Sequence, residues 1–79
     1  MPPNDADLKL MAQCEALAER AYADMYETRY PSGCYADLKD HFIDAITAAE
    51  RAGLSDEAKR LRTRLDHCKQ VYRKQFSRF

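Results

Sequence analysis

Apolar side chains recur at steps of three and four residues, and this period constrains the fold more than any other feature of the chain. The pattern is clearest toward the C-terminus, at Ala58, Leu61, Leu65, Cys68 and Tyr72. Such steps place side chains on one face of an α-helix, whereas a half-buried strand needs strict alternation. β-Branched residues are few, with two Ile, one Val and three Thr, and there are only two glycines. The sequence therefore predicts an all-α protein.

Three helices are predicted, over about residues 5–29, 35–52 and 56–78. Asn4 or Asp5 is expected to cap the first helix. Pro31 is expected to end that helix, because the residue before a proline is disfavoured in the helical region. The segment PSGC is then expected to be a turn. Gly53 is expected to end the second helix and Ser55 to cap the third.

The connections between these helices are short, which favours antiparallel neighbours. We therefore expect one helical domain over residues 1–79, folded as an up-down-up three-helix bundle, with outer helices longer than the middle one. A core this small rarely supplies more than about 3–5 kcal/mol, which favours association with a partner. In this topology the aromatic side chains gather at one pole. They are Tyr22, Tyr26, Tyr30, Tyr35, Phe42, Tyr72, Phe76 and Phe79.

The charges are sorted along the chain although the whole is neutral. Residues 1–50 carry ten acids and four bases, and residues 51–79 carry three acids and nine bases. Sorting of this kind is found in chains that bind nucleic acid, and it also arises when two halves of a chain fold onto each other. The pI near 6.7 is far from that of a typical nucleic-acid module. The basic third helix therefore gives the alternative prediction, an accessory nucleic-acid-binding protein.

The spacing G-x-Y-x-x-L-x-x-x-F-x-x-A, from Gly33 to Ala45, resembles the second helix of a tetratricopeptide-type hairpin. It is also similar to the middle helix of the three-helix MIT-type domain. Both families bind peptide segments of other proteins. Leu38 stands where tetratricopeptide repeats usually carry Ala, and the Trp-Leu-Gly signature is absent from the first helix. The resemblance implies helical-hairpin packing and transfers no peptide-contacting residue.

Metal-dependent or thiol-dependent activity is a third interpretation. The stretch DLKDHFID places carboxylates and an imidazole along one predicted helix face, a pattern that suits a metal or an acid/base pair. A solvated acidic face is the simpler interpretation. The residues considered for such chemistry are Asp37, Asp40, His41, Asp44, Cys34, His67 and Cys68. We predict no catalytic residue, no metal and no cofactor, and hence no enzyme.

The compartment is inferred from what the sequence contains. No apolar run reaches the ~18 residues of a membrane span, and the stretch MPPNDADLKL does not resemble a secretory signal. Three cysteines without close spacing argue against a disulfide framework. We therefore expect a cytoplasmic protein with reduced thiols and no membrane partner.

Together these observations predict a small protein–protein interaction module or a homo-oligomeric accessory protein. Its partner would be another protein or a second copy of the chain. Aromatic residues and arginine are enriched in protein interfaces. The candidate interaction surface is Tyr26, Tyr30, Tyr72, Phe76, Phe79, Arg73 and Arg78.

Overall fold

The computed structural model describes residues 5–76, in which three α-helices pack together as a bundle. They are α1 (Asp5–Asp24), α2 (Pro31–Arg51) and α3 (Ser55–Val71), and a π-helical turn, Tyr72–Phe76, follows α3. No strand occurs in residues 5–76. The all-α, three-helix prediction is therefore confirmed.

The direction of the helices follows from contacts between α1 and α3. Arg60 binds Glu15, and Arg64, one turn later, binds Glu19, so each pair is separated by 45 residues. A constant separation means that α1 and α3 run parallel. Helix α2 contacts both and runs the other way, since its first turn lies beside the end of α3. This is the up-down-up arrangement.

The buried core uses small side chains where α1 meets α2. The fully or nearly buried residues of α1 are Cys14, Ala18 and Ala21, and α2 buries Ala45, Ala48 and Ala49. Because small side chains let two helix backbones approach closely, α1 and α2 share the most extensive contact. The largest completely buried side chains are Phe42, Met25, Leu38, Leu61 and Cys68.

Helix α1 ends at Asp24, five residues earlier than predicted. The next residue, Met25, turns inward and is 1% exposed. The amides of Tyr26 and Glu27 then bond to carbonyls three residues back, at 3.2 and 3.1 Å, which tightens the chain into a turn. Met25 thus continues the buried stripe of α1, and the helix gives way to the tighter turn at Tyr26 and Glu27.

Helix α2 begins at Pro31, so the prediction that PSGC is a turn is wrong. Proline at the first helical position is favourable, because its missing N–H would have no partner there and its φ is already helical. Pro31 thus starts a helix rather than only ending one. With 21 residues against 20 in α1 and 17 in α3, α2 is the longest α-helix of the described residues, although the π-helical turn continues α3 by five residues. The prediction that both outer helices are longer than the middle one is therefore wrong.

The connection from α2 to α3 confirms Gly53 as the residue that ends α2. Gly53 has φ 73°, its amide bonds to Glu50 O at 3.0 Å, and the Leu54 amide bonds to Ala49 O at 2.9 Å. These two bonds make a Schellman motif, which needs a left-handed residue at this place. Ser55 is the first residue of α3 and not its cap, since the capping position is Leu54.

Helix α3 also ends earlier than the predicted residue 78. The chain continues from Tyr72 to Phe76 as a π-helical turn, which has a wider period than an α-helix. The sequence signal for this change is Gln75, which interrupts the apolar pattern. In the π-helical turn, Tyr72 and Phe76 lie with ring planes 18° apart and centroids 6.4 Å apart.

None of the helices within residues 5–76 combines the length and the apolar composition that crossing a lipid bilayer requires.

Candidate interaction surface at the aromatic pole

Six aromatic residues lie where the ends of α1 and α3 meet the start of α2, and we call this group the aromatic pole. The members are Tyr22, Tyr26, Tyr30, Tyr35, Tyr72 and Phe76. Tyr35 stacks on Tyr72 with centroids 4.0 Å apart and planes 5° apart. Tyr26 packs edge-on against Phe76, at 5.1 Å, and against Tyr22, at 5.6 Å. The rings therefore tie together elements that are distant in sequence.

Two members of the pole lie largely in solvent. Tyr30 is 78% exposed and Tyr26 is 52% exposed, whereas the other four rings are half-buried. The fixed contact of Tyr30 is through its backbone, since its amide donates a hydrogen bond to Thr28 Oγ1 at 3.1 Å. The ring of Tyr30 therefore adds little to the core and lies in solvent.

An open cleft of about 330 Å³ lies beside Tyr30. Its walls come from the α1–α2 connection, from the first turn of α2 and from the π-helical turn. The residues are Arg29, Tyr30, Pro31, Ser32, Tyr72 and Phe76. This volume is at the lower end of the ~300–1,000 Å³ found for ligand pockets. The cleft is therefore small and open to solvent.

The electrostatic environment of the cleft is positive on the α2 side. The N-terminus of a helix carries a partial positive charge. Helix α2 has no acidic residue in its first turn and no side-chain capping bond. Arg29 adds a full positive charge two residues before the helix begins. Within the described residues no carboxylate forms an ion pair with Arg29, and none lies in the first turn of α2.

Away from the pole, the arginines of α3 bind acidic residues of the same chain. Arg60 contacts Glu15 at 2.7 and 2.9 Å, and it also contacts Glu57 at 2.7 Å. The first contact lowers the pKa of the Glu15 carboxyl, because the hydrogen bond stabilises its ionised form.

Two further arginines of α3 form ion pairs with glutamates of the other two helices. Arg64 binds Glu19 through two bonds of 2.7 Å and lies over the ring of Tyr22, 4.9 Å from its centroid. Arg62 contacts Glu50 at 3.1 Å. The sorted charges of the sequence thus meet in the fold.

The cations near the cleft differ from these arginines. Within residues 5–76, no ion pair involves Arg29, Lys69, Arg73 or Lys74. The residues that line the cleft include one base, Arg29, and no acid. The two segments to which the lining residues belong, 24–32 and 69–76, together contain four bases and two acids, a net charge of +2.

The structure places most of the predicted surface residues together. Tyr26, Tyr30, Tyr72 and Phe76 belong to one contact group or its cleft, and Arg73 is exposed on the same π-helical turn. Arg78 and Phe79 lie outside the described residues.

Sequence reasoning missed three residues of the cleft: Arg29, Pro31 and Ser32. The stretch RYPS could have indicated these residues, because its arginine lies two residues before a proline that can start a helix.

Tyr22 is the ionisable group most affected by the pole. A 3.2 Å hydrogen bond with the hydroxyl of Tyr26, together with partial burial, raises the pKa of Tyr22 to about 12. The bond stabilises the protonated phenol, and burial disfavours the phenolate. Tyr22 is therefore neutral over the physiological range and serves as a hydrogen-bonding group.

The residues considered for metal or thiol chemistry are dispersed. Asp37, Asp40 and Asp44 are exposed along α2, and within residues 5–76 no group of three or more His, Cys, Asp or Glu side chains is placed to hold a metal ion. Cys68 is buried whereas its neighbour His67 is exposed, so the two side chains point in different directions.

The three cysteines are free thiols. Cys14 and Cys68 are buried, and burial is the main factor that raises the pKa of each thiol. Cys34 is half-buried in the first turns of α2 rather than in a loop.

Comparison with protein-family models, with curated proteins and with solved structures finds no match for this chain.

Proposed function

We propose that this chain is a non-catalytic protein-association module and that it binds another polypeptide at the aromatic pole. The observation that carries the proposal is the exposure of Tyr30, which is 78% accessible beside an open cleft. Exposed aromatic side chains next to a concave, partly apolar surface are typical of the central part of protein interfaces.

The composition of the cleft supports this assignment. Tyrosine offers a large apolar area with little conformational entropy to lose, and its hydroxyl can still form hydrogen bonds. Tyr72 and Phe76 supply a stacked wall, while Arg29 and Arg73 supply charged groups at the edge. The free thiols of the described residues support a reducing compartment, and we propose the cytoplasm.

The nucleic-acid alternative has less support. Three of the basic residues that suggested it, Arg60, Arg62 and Arg64, bind glutamates of the same chain. A phosphate backbone would have to compete with those carboxylates. Binding to a mixed-sequence oligonucleotide that weakens steeply with salt would favour this alternative over protein association.

The test is a comparison of three purified forms of the chain: the parent, Tyr30→Ala and Leu17→Ala. Leu17 is 49% exposed on α1 and is not part of the aromatic pole, so it is a matched control for loss of an exposed apolar side chain. Each form is used to capture proteins from an extract of cells that express it, and captured proteins are quantified by mass spectrometry. Sedimentation at micromolar concentration measures self-association in parallel.

We expect a partner, or a second copy, that the parent and Leu17→Ala retain and that Tyr30→Ala loses. A monomeric parent whose captured proteins are the same for all three forms would contradict the proposal.

A further inference from the structure

Deepening the proposed function and resting on it, we infer that the aromatic pole binds an acidic segment of a different protein. That segment would insert an aromatic or aliphatic side chain into the cleft and place Asp or Glu residues against the surrounding cations. The inference follows from how the chain distributes its compensated and uncompensated charge.

The first step is the contrast along α3. Arg60, Arg62 and Arg64 each contact a glutamate of the same chain at 2.7–3.1 Å. Lys69, Arg73 and Lys74, farther along, take part in no ion pair within residues 5–76. Within the described residues Lys59, in the first turns of α3, also has no ion pair, so the paired cations of α3 are the three in its middle part. Arg73 and Lys74, on the π-helical turn at the pole, are exposed and form no ion pair there.

The second step concerns Arg29, which intramolecular stability does not explain. It lies next to the N-terminus of α2, where a cation is unfavourable because the helix end is itself positive. The first turn of α2 also lacks the acidic residue that commonly compensates this end. Two positive features therefore adjoin one cleft, and both would be compensated by a carboxylate of the partner.

The third step separates a different protein from a second copy. Joining two poles face to face would bring Arg29, Arg73 and Lys74 of one copy, all exposed, near the same three cations of the other. Like charges in an interface disfavour the complex. An acidic segment meets the same cations with opposite charge, so charge complementarity selects it over self-association.

The experiment is a selection of random twelve-residue peptides displayed on phage, carried out on the immobilised full chain and, separately, on Tyr30→Ala. Selected peptides are then synthesised, and their Kd values are measured for the parent, Arg29→Gln and Lys9→Gln. Arg29 and Lys9 are both exposed cations, but Lys9 lies in the early part of α1, far from the pole, and is the matched control. Thermal unfolding of each variant checks that the fold is retained.

We expect peptides that depend on Tyr30 and that contain more Asp and Glu than the starting pool. Arg29→Gln should weaken them roughly two- to fivefold, which is the usual contribution of one exposed ion pair. Lys9→Gln should leave the Kd unchanged, and added salt should weaken binding to the parent.

Other outcomes distinguish the two levels of the proposal. Peptides that depend on Tyr30 but show no acidic excess, or that ignore Arg29→Gln, overturn the acidic partner and leave association at the pole standing. A parent dimer that Tyr30→Ala dissociates also overturns it, because the occupant is then a second copy. If no selected peptide depends on Tyr30, both the inference and the proposed function fail.

Discussion

At the scale of single residues, Phe42 is the position where truncation is expected to destabilise the fold most. It is the largest of the fully buried side chains and belongs to the core cluster shared by the three helices. Phe42→Ala is expected to cost roughly 3–5 kcal/mol, from lost burial and the cavity left behind. That is comparable with the whole stability of so small a domain. Urea unfolding should show the variant mostly unfolded without denaturant.

The neighbouring residue gives a matched control. Ile43 is 51% exposed on the same helix. Ile43→Ala should therefore change the free energy of unfolding by less than about 0.5 kcal/mol. Equal losses from the two substitutions would mean that Phe42 does not occupy the centre of the core.

Tyr22 gives a prediction about alkaline pH. Its pKa in the folded chain is raised to about 12, above the ordinary value of about 10 for tyrosine in an unfolded chain. Below about pH 10 both states are protonated and the contribution of Tyr22 is fully present. As pH rises toward 12, the unfolded chain loses the proton first, so stability falls.

Replacement by phenylalanine removes this titration. The free energy of unfolding of Tyr22→Phe should therefore decline less steeply than that of the parent between about pH 10 and 12, as measured by denaturant unfolding at each pH. Identical slopes would show that the hydrogen bond with Tyr26 does not affect the phenol.

At the scale of elements, the start of α2 is the point on which the cleft depends. In the structure Ala36 is the sixth residue of α2. With a helix starting at residue 35 it would be near the first position, where proline is tolerated. Ala36→Pro is therefore expected to cost about 3 kcal/mol or more, because proline within a helix removes a backbone bond and clashes with the preceding turn.

A companion substitution tests the same boundary from the other side. Pro31→Ala should cost only about 0.4–1 kcal/mol, because it removes a favourable restriction of the unfolded chain. Thermal unfolding of both variants measures the contrast. A harmless Ala36→Pro would mean that the helix begins later than Pro31.

The existence of the helices and the end of α2 at Gly53 were predictable, whereas the helix ends at the aromatic pole were not, for an identifiable reason. Each helix buries one face, so apolar residues recur in the sequence with the helical period. This period predicted α1, α2 and α3 correctly. Pro31 is compatible both with ending a helix before it and with starting one at it. Local preference could not decide between these, and in the structure Pro31 starts α2. Six of the eight rings predicted at the pole lie there, but Phe42 belongs to the central core and Phe79 lies outside the described residues. The cleft was missed because it needs both Pro31 and the π-helical turn.

At the scale of the whole molecule, the contacts of α1 with α3 set how the two outer helices align. Glu19 and Arg64 form two bonds of 2.7 Å and are partly buried. Glu50 and Arg62, which join α2 to α3, form one contact of 3.1 Å with both side chains 55% exposed. Paired, less exposed contacts are the stronger kind.

Double-mutant cycles with alanine at each pair should reflect this difference. We expect a coupling of about 1 kcal/mol for residues 19 and 64, and close to zero for residues 50 and 62. Stability at two salt concentrations provides a check, because the more exposed pair is screened more completely. A larger coupling for the 50–62 pair would contradict the geometry described for α1 and α3.

The equal separation of the two α1–α3 ion pairs has a consequence for sequence divergence. Glu15 on α1 pairs with Arg60 on α3, and Glu19 pairs with Arg64. Position 15 should therefore change together with position 60, and position 19 together with position 64. Reversing both charges of one pair conserves the attraction, whereas changing one member alone would place like charges side by side. In related sequences the two residues of each ion pair should therefore be substituted together. Substitutions of Ile43, which is half exposed, should be independent of any other position.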